Sequence, residues 1–460
     1  MRAKLRKLFG VDLRSLAALR IGLGLAVLVD VGIRALDLEG LYTDRGVLPR
    51  DLLRAFEGRA VYLSAHYWAS AHPVWQAGLF AATGGCAVAL LLGWQTRLAT
   101  LACWYLVASI QVRQPLTYMG GDSILRLMLF WGLFLPLGAR FSADARRRPP
   151  RDEPDWFVSG ATVAILIQVC LIYWATGVRK DGPLWWGGDA LFYALHLDSW
   201  VTPFGVWLRS YPSLLEPLTY ATLGLELFGP FLAFVPAYTA AFRLATVAIF
   251  WSFHLGLAAT MNIGLFPLFS MVAWLPFLPS AFWARLGVSS SASDLGRRRP
   301  VTWRARALSA AAAVCLVYIC VLLAERARVI PRVLPAPVTA VGRALRIQQT
   351  WNMFAPDPAR VTYRLEVART LSDGRRVVEL ATSRFRWTVY IGRVAGQYPP
   401  GHPLAASFQL FTKRQCAWRA SEAAGAPLVD EVAVISHRRD ISLDGLSENQ
   451  TRTLAATSCL

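Results

Sequence analysis

The sequence predicts an integral membrane protein, an all-α bundle of about nine spanning helices followed by a small outward-facing α+β domain. Of its 460 residues 55% are hydrophobic and 17% are charged, a composition too apolar for a soluble protein of this length. Apolar stretches of about 18 to 25 residues recur along most of the chain, and each is long enough to cross a bilayer as a helix. Most arginines cluster between these stretches.

Hydropathy gives the positions of the predicted spans. They cover residues 16–36, 75–93, 97–114, 123–138, 157–178, 214–235, 239–258, 262–280 and 305–324. We therefore assign residues 1–324 to the transmembrane bundle, residues 325–345 to a connecting segment and residues 346–460 to the C-terminal α+β domain.

Basic residues in the loops predict the orientation of the bundle. Basic clusters precede the first span and occupy alternate loops, for example residues 146–148 and residues 297–299. Under the positive-inside rule these loops and the N-terminus are cytoplasmic. An odd number of spans then places the C-terminal domain outside, on the same side as the loop after the fifth span. Topology thus explains the net charge of +19, and nucleic acid is not an expected partner.

The C-terminal domain has the sequence patterns of a small α+β fold. Its elements are predicted from three patterns: alternation of polar and apolar residues for strands, a Ser-Asp-Gly turn signal, and apolar residues at the helical period. In order these are strands at 360–367 and 375–380 joined by a turn at 372–374, a strand at 384–394, a helix at 405–423 and a closing strand at 431–437.

Cysteine usage carries one structural expectation. Cys416 and Cys459 lie in the polar C-terminal domain and can form a disulfide if that domain meets an oxidising compartment. The other cysteines fall inside apolar spans, where cysteine behaves as a small hydrophobic residue. No spacing of cysteine and histidine in the sequence suggests a metal site.

Lys180 is the residue whose chemistry stands out, because it directly follows a spanning segment. The lysines of the chain are Lys4, Lys7, Lys180 and Lys413, and arginine supplies the other basic positions. An arginine cannot lose its proton in a protein, whereas a lysine can once burial or a neighbouring cation such as Arg179 lowers its pKa. Lys180 is therefore a candidate base. The alternative is an interfacial cation that anchors a helix end.

Several charged or polar side chains fall inside predicted spans, where a charge costs roughly 2.5 to 3.5 kcal/mol. They are Arg20, Asp30 and Arg34 in the first span, Asp122 and Arg126 at the fourth, Glu226 in the sixth and His254 in the seventh. The spacing of Asp122 and Arg126 permits an ion pair on one helix face. The set predicts either structural ion pairs between helices or a polar interior cavity.

Two aromatic segments have more than one interpretation. Trp185 and Trp186, next to the lysine, either line a cleft for a flat lipid-soluble ring, lie at the membrane interface or pack against the bundle. Trp351, Met353 and Phe354 either lie at the interface or pack the C-terminal domain onto the bundle.

Four blocks of the sequence carry a family resemblance. They are residues 16–34 with 41–49, residues 173–188, residues 253–276 and residues 351–363. In combination these blocks resemble the horizontally transferred transmembrane (HTTM) family, which includes the vitamin K-dependent gamma-carboxylase. The resemblance spans about residues 10 to 365 and implies a multi-pass protein of the bacterial cytoplasmic membrane.

The resemblance also implies a chemistry. Lys180 matches the lysine that deprotonates reduced vitamin K in the carboxylase, and menaquinol is a second possible substrate. Oxygen and carbon dioxide would be co-substrates, and a protein glutamate would be carboxylated. The expected supporting residues of the cavity are Arg179, Asp122, Arg126, His254, Trp185 and Trp186. The chain departs from the carboxylase at residues 120–123, Gly-Gly-Asp-Ser, where the carboxylase has a histidine.

The expected partners are the lipid bilayer, a quinone and an extracytoplasmic peptide or protein. The alternative function is a non-catalytic membrane scaffold or maturation partner that holds another chain through the C-terminal domain. A transporter is disfavoured, because the two halves show no matching pair of Gly/Pro-broken helices. Replacement of Lys180 by arginine separates the first two functions, because only a base must give up its proton.

Overall fold

A computed structural model describes residues 2–147, 155–288, 302–380, 385–397, 402, 404, 406–416, 428–443 and 445–459. The chain is mostly helical, and a small antiparallel sheet lies near its C-terminus. Residues 417–423 of the predicted tail helix lie outside the described residues.

The helices follow the predicted order of the spans. In the first half they are α1 (Arg2–Phe9), α2 (Leu13–Ala35), α3 (Leu38–Tyr42), α4 (Arg50–Glu57), α5 (Ala65–Ala69), α6 (Pro73–Leu92), α7 (Thr96–Arg113), α8 (Gly120–Gly132), α9 (Ala143–Arg146) and α10 (Gly160–Gly177). In the second half they are α11 (Pro183–Trp186), α12 (Ala190–Leu195), α13 (Pro203–Leu208), α14 (Pro212–Phe228), α15 (Thr239–Thr260), α16 (Phe266–Ala273), α17 (Ser280–Arg285), α18 (Trp303–Arg326), α19 (Ala336–Ala344), α20 (Phe385–Gln397) and α21 (Ala406–Gln415).

Length and apolar composition identify the membrane-crossing helices. Among the described residues, five helices are long and apolar enough to span a bilayer: α2, α6, α10, α15 and α18. The four other predicted spans each contain a helix, α7, α8, α14 or α16, that is shorter or less apolar. The chain is therefore a membrane protein with several spans, and the count of nine stays a prediction.

Small residues let the spanning helices approach closely. A Cβ atom on Gly24 of α2 would lie 2.8 Å from Cβ of Leu91 and 3.0 Å from the carbonyl oxygen of Ala87 in α6. In a bilayer, where lipid tails compete with every apolar side chain, such close backbone packing is a main source of helix association. Gly24 thus positions α2 against α6.

The helices α10 and α18 run parallel to each other. Near their start, the backbone N–H of Gly160 donates to Oγ of Ser309 at 2.6 Å. Beyond their end, Arg179 Nη1 donates to the carbonyl oxygen of Arg326 at 2.5 Å. Both helices therefore end on the same face of the bundle.

The loop after α10 contacts the C-terminal part of the chain. The indole N–H of Trp185 donates to the carbonyl oxygen of Phe354 at 2.8 Å, and Arg439 Nη1 lies 3.2 Å from Oδ2 of Asp198. Lys180 and the C-terminal region consequently lie on one face of the bundle, in agreement with the predicted topology. Which compartment this face meets stays a prediction.

The C-terminal sheet confirms the predicted hairpin and extends it. Its strands are β3 (Val361–Leu371), β4 (Arg376–Leu380), β5 (Val429–Ser442) and β6 (Gly445–Ser458), which follow the pair β1 (Val11–Asp12) and β2 (Trp156–Phe157). All neighbours are antiparallel in the order β4-β3-β5-β6. Gly374, with φ of 80°, provides the left-handed residue that the β3–β4 turn needs. The predicted strand at 431–437 lies within β5.

Two elements of this domain differ from the prediction. The expected strand at 384–394 is wrong where the structure describes it, because residues 385–397 form the helix α20. Trp387, Tyr390, Ile391 and Val394 have the i, i+3, i+4, i+7 spacing of a helix face, and the last three are fully buried. The strand β6 was missed because its sequence is mostly polar and lacks the apolar alternation of β3.

A disulfide closes the C-terminal domain. Cys416, which follows α21, is bonded to Cys459, which follows β6, and this confirms the predicted pairing. The bond fixes the helical layer to the far strand of the sheet.

A buried cluster of four charges joins the bundle to the C-terminal domain. Arg34 in α2 contacts Asp30 at 2.8 Å and Asp122 in α8 at 2.5 Å. Arg386 in α20 contacts the same two carboxylates at 2.6 Å and 3.4 Å. Every one of these side chains is at most 6% exposed.

The predicted ion pair between Asp122 and Arg126 does not form. Asp122 is used by the two arginines of the cluster, whereas Arg126 donates to the carbonyl oxygens of Arg346 at 2.7 Å and Gln348 at 3.2 Å. Helical spacing permits a contact but does not decide between competing partners from distant segments.

Arg386→Ala should destabilise the protein by about 3 to 5 kcal/mol, because it leaves two buried carboxylates with one guanidinium. Denaturant unfolding of the purified protein in detergent would measure the loss. Arg375→Ala is the matched control, since that side chain is 67% exposed in its pair with Asp373, and we expect no measurable change. Equal effects of the two substitutions would contradict a structural role for the cluster.

The disulfide and the topology can be tested together. Intact vesicles are treated with a reductant and then with a membrane-impermeant maleimide. We expect the maleimide to label Cys416 and Cys459 from the extracytoplasmic side only after reduction. In the double variant Cys416→Ser/Cys459→Ser this additional labelling should be absent. Labelling of these two cysteines from the cytoplasmic side would overturn the predicted orientation.

Candidate functional site

An apolar cavity of about 390 Å³ lies between α14, α15, the loop after α10 and the segment around residue 353. Most of its wall is aliphatic or aromatic. Polar side chains that reach it include Tyr173, Lys180, Glu226, His254 and Asn352. The volume lies in the range of about 300 to 1,000 Å³ that is typical of small-molecule sites.

The backbone around Lys180 is held by the C-terminal region. The helix α10 ends at Gly177, and Pro183 begins the short helix α11 that carries Trp185. The backbone N–H of Leu184 donates to Oδ1 of Asp357 at 3.1 Å. Gly182 is required here, since a Cβ atom at this position would lie 2.2 Å from Cγ of Asp357. The lysine thus lies on a turn of fixed geometry.

Lys180 is buried, with 3% of its surface exposed. Its Nζ donates a hydrogen bond to Oε1 of Glu226 at 2.7 Å and lies 2.7 Å from Oε2 as well. The same nitrogen lies 3.9 Å from the centre of the Trp185 ring. This burial differs from that of an interfacial cation, whose charged end would reach water.

Burial lowers the pKa of Lys180, and the carboxylate of Glu226 opposes that effect. The neutral amine is therefore more accessible than in an ordinary lysine. Because the carboxylate lies within hydrogen-bond distance, a proton can move between the two groups without passing through water.

A second polar group of the cavity is His254, which is fully buried. Its Nε2 lies 2.7 Å from Oη of Tyr173, and that oxygen accepts a hydrogen bond from Nε1 of Trp274 at 2.8 Å. The Tyr173 proton is then available for Nε2, which favours a proton on Nδ1. Nδ1 has no hydrogen-bond partner in the described part of the chain. It is thus available to a ligand.

The structure brings together three of the seven predicted site residues: Lys180, His254 and Trp185 line the cavity. The others lie elsewhere. Trp186 is 62% exposed, and Arg179 faces a different cleft. Asp122 belongs to the buried charge cluster, and Arg126 binds the backbone near residue 347.

Two residues of the site were not assigned to it from the sequence. Glu226 was recognised as a charge inside a span, but its partner lies 46 residues away along the chain. Tyr173 begins one of the blocks that carry the family resemblance, but the sequence assigns it no role, because a tyrosine within an apolar run is typical of any buried helix. Tyr173 lies four residues before Gly177, one turn before the end of α10. This position only weakly indicates that the side chain belongs to the site.

The arrangement is suited to proton abstraction from a weakly acidic, flat and apolar ligand. The amine of Lys180 can accept a proton, and Glu226 can receive it in turn. Among the described residues, no group of three His, Cys, Asp or Glu side chains could hold a metal ion.

Glu226→Gln should lower the pKa of Lys180 further, because it removes the negative charge that favours the ammonium form. The titration midpoint of Lys180 can be measured from the pH dependence of its modification by a small amine-reactive reagent. Mass spectrometry identifies the modified residue. In the wild type we expect a midpoint below about 10.4, the value of an exposed lysine. Glu216→Gln, an exposed acid on the same helix, should leave it unchanged. A midpoint that rises in Glu226→Gln would contradict this electrostatic pairing.

Comparison with known proteins agrees with the membrane architecture. The family model described as the HTTM domain matches residues 10–283, more than half of the chain. The matched region contains the cavity-lining helices α10, α14 and α15 and Lys180 itself. No curated protein and no solved structure matches the chain. The chain belongs to the HTTM domain family.

Proposed function

We propose that this membrane protein binds a reduced quinone in the cavity and that Lys180 is the base that deprotonates it. The observation that carries the proposal is the amine of Lys180, which is buried at an apolar cavity between the carboxylate of Glu226 and the ring of Trp185. The HTTM domain supports the comparison with the vitamin K-dependent carboxylase.

The walls of the cavity fit a flat aromatic ligand. Trp185, Phe253, Phe266 and Phe354 contribute aromatic surface, and such rings stack or pack edge-on against other rings. A quinol also carries two hydroxyl groups, which need polar partners once they leave water. Lys180 would contact one of them, and Nδ1 of His254 would bind the other.

In this proposal each polar residue of the cavity has a separate role in proton transfer. Lys180 takes the proton of the quinol hydroxyl on its neutral amine, and Glu226 balances the resulting ammonium charge. Trp185 covers the amine and excludes water from it. Tyr173 orients His254 through the bond at 2.7 Å.

The overall reaction in this proposal is balanced by oxygen and carbon dioxide. The quinol is oxidised to its epoxide: one oxygen atom of O₂ becomes the epoxide oxygen, and the other leaves as water with two hydrogens that correspond to those of the quinol hydroxyls. In the coupled step a C–H proton of a peptide glutamate is lost and CO₂ forms the new carboxylate. We further propose that the quinol is vitamin K hydroquinone or menaquinol and that the site faces outward from a bacterial cytoplasmic membrane.

Lys180→Ala and Lys180→Arg should both reduce oxygen-dependent epoxide formation by about 10²- to 10⁴-fold, because neither side chain can act as a base. The purified protein in lipid would be assayed with vitamin K hydroquinone and, separately, with menaquinol. Lys413→Arg, remote from the cavity, is the control and should retain full activity.

Two results would overturn the proposal. One is the absence of epoxide from either quinol although the wild-type protein is folded. The other is full epoxide formation by the Lys180→Arg variant. In that case the alternative, a non-catalytic scaffold for a peptide or protein, becomes the better reading. Under this alternative, the substitution Lys180→Arg should leave binding of the partner to the C-terminal domain unchanged.

A further inference from the structure

A second and larger cleft, of about 1,070 Å³, lies where α10 and α18 end and α19 begins. Its lining contains five arginines and one acidic residue, Glu325. The arginines are Arg179, Arg326, Arg328, Arg332 and Arg343. The cleft is separate from the quinol cavity, and the two have no lining residue in common.

In the described part of the chain, one acidic side chain, Glu325, lies among the five arginines of this cleft. Oε1 of Glu325 accepts backbone N–H groups of Val333 at 2.5 Å and Leu334 at 2.6 Å, so this carboxylate caps a turn. Within the described part of the chain, none of the five guanidinium groups forms a salt bridge. Five like charges in one concave surface repel one another unless an anion joins them.

Two of the arginines are held by backbone carbonyl oxygens, and the other three form no side-chain hydrogen bond to the residues that the structure describes. Arg179 donates to the carbonyl oxygen of Arg326, and Arg326 donates to the carbonyl oxygen of Gln349 at 2.5 Å. Arg328, Arg332 and Arg343 are exposed. The cleft therefore has a hydrogen-bonded basic floor and a solvent-exposed basic rim.

The cleft lies where two helices that are long and apolar enough to span a bilayer come to an end. Arg326 is the last residue of the spanning helix α18, and Arg179 lies two residues beyond the end of the spanning helix α10. Below the cleft, α18 exposes Val314 and Val317, at 69% and 63%, as a lipid-facing surface. At the rim, Val329 is 65% exposed beside the arginines. An anion held here would lie between water and hydrocarbon.

We propose that this cleft binds a phosphate group, presented by the headgroup of an anionic phospholipid or free in solution. The planar guanidinium fork donates two parallel hydrogen bonds to phosphate oxygens, which suits arginine better than lysine for this role. The exposed apolar surface along α18 provides a path for the acyl chains of a lipid. The proposal is independent of quinol chemistry.

The test uses the full-length protein and native mass spectrometry with phosphatidylglycerol, phosphatidylcholine and inorganic phosphate as probes. The triple variant Arg328→Gln/Arg332→Gln/Arg343→Gln should retain phosphatidylglycerol on the order of 100-fold more weakly than the wild type. The matched control, Arg364→Gln/Arg375→Gln/Arg376→Gln, removes three exposed arginines from the sheet and should retain the lipid normally. All six side chains are exposed, so both variants should unfold at the wild-type temperature.

The probes separate the two sources of phosphate. A lipid site is supported if the wild type prefers phosphatidylglycerol to phosphatidylcholine and the triple variant of Arg328, Arg332 and Arg343 loses this preference. Binding of inorganic phosphate without lipid preference, also lost in that variant, supports the same chemistry with a soluble source. Equal losses in the two triple variants, or failure of the wild type to retain either phosphatidylglycerol or inorganic phosphate, would overturn the proposal.

Discussion

A charge inside an apolar bundle needs a partner, and this constraint shapes the protein from its first helix to its C-terminal domain. In the cluster of Asp30, Arg34, Asp122 and Arg386 two negative and two positive groups meet with their charges balanced. The Lys180–Glu226 pair likewise brings one basic and one acidic group together, at 2.7 Å. Desolvation would otherwise make each of these side chains strongly destabilising.

The two charged groups differ in what surrounds them. The four-residue cluster is enclosed by protein, each carboxylate contacts two guanidinium groups, and its role is to join elements that are distant in sequence. The Lys180–Glu226 pair lies at a cavity, next to a histidine nitrogen that has no partner among the described residues. A network in which every charge is paired stabilises one arrangement, whereas a pair beside empty volume can respond to a ligand. This contrast separates the structural charges from the candidate catalytic ones.

The predictions from sequence succeeded where local pattern decides the outcome. Apolar runs located the spanning helices, and alternation located the β3–β4 hairpin. The isolation of Lys180 among arginines drew attention to a side chain that lines the cavity, and its role as a base stays a proposal. They failed where distant segments compete. Asp122 contacts Arg386, 264 residues away, in preference to Arg126 at four residues, and no local spacing reveals that choice.

The same limit applies to Glu226, whose position opposite Lys180 depends on how α14 packs beside α10. It also explains α20, where the spacing of Tyr390, Ile391 and Val394 fits a helix although the β-prone side chains favour a strand. Burial of that face against the rest of the domain decided the outcome. Tertiary packing overrode intrinsic preference.

The contribution of Arg386 to the buried cluster has a consequence for biosynthesis. The helices α2 and α8 bring two carboxylates and one arginine into the bundle, and the balancing arginine is synthesised 264 residues after Asp122. At about 5 to 20 residues per second, the nascent chain carries an excess buried negative charge for tens of seconds. A chain that stops before α20 keeps that charge permanently. The cluster therefore distinguishes finished from truncated molecules, and quality-control proteases would meet the latter in a loosened state.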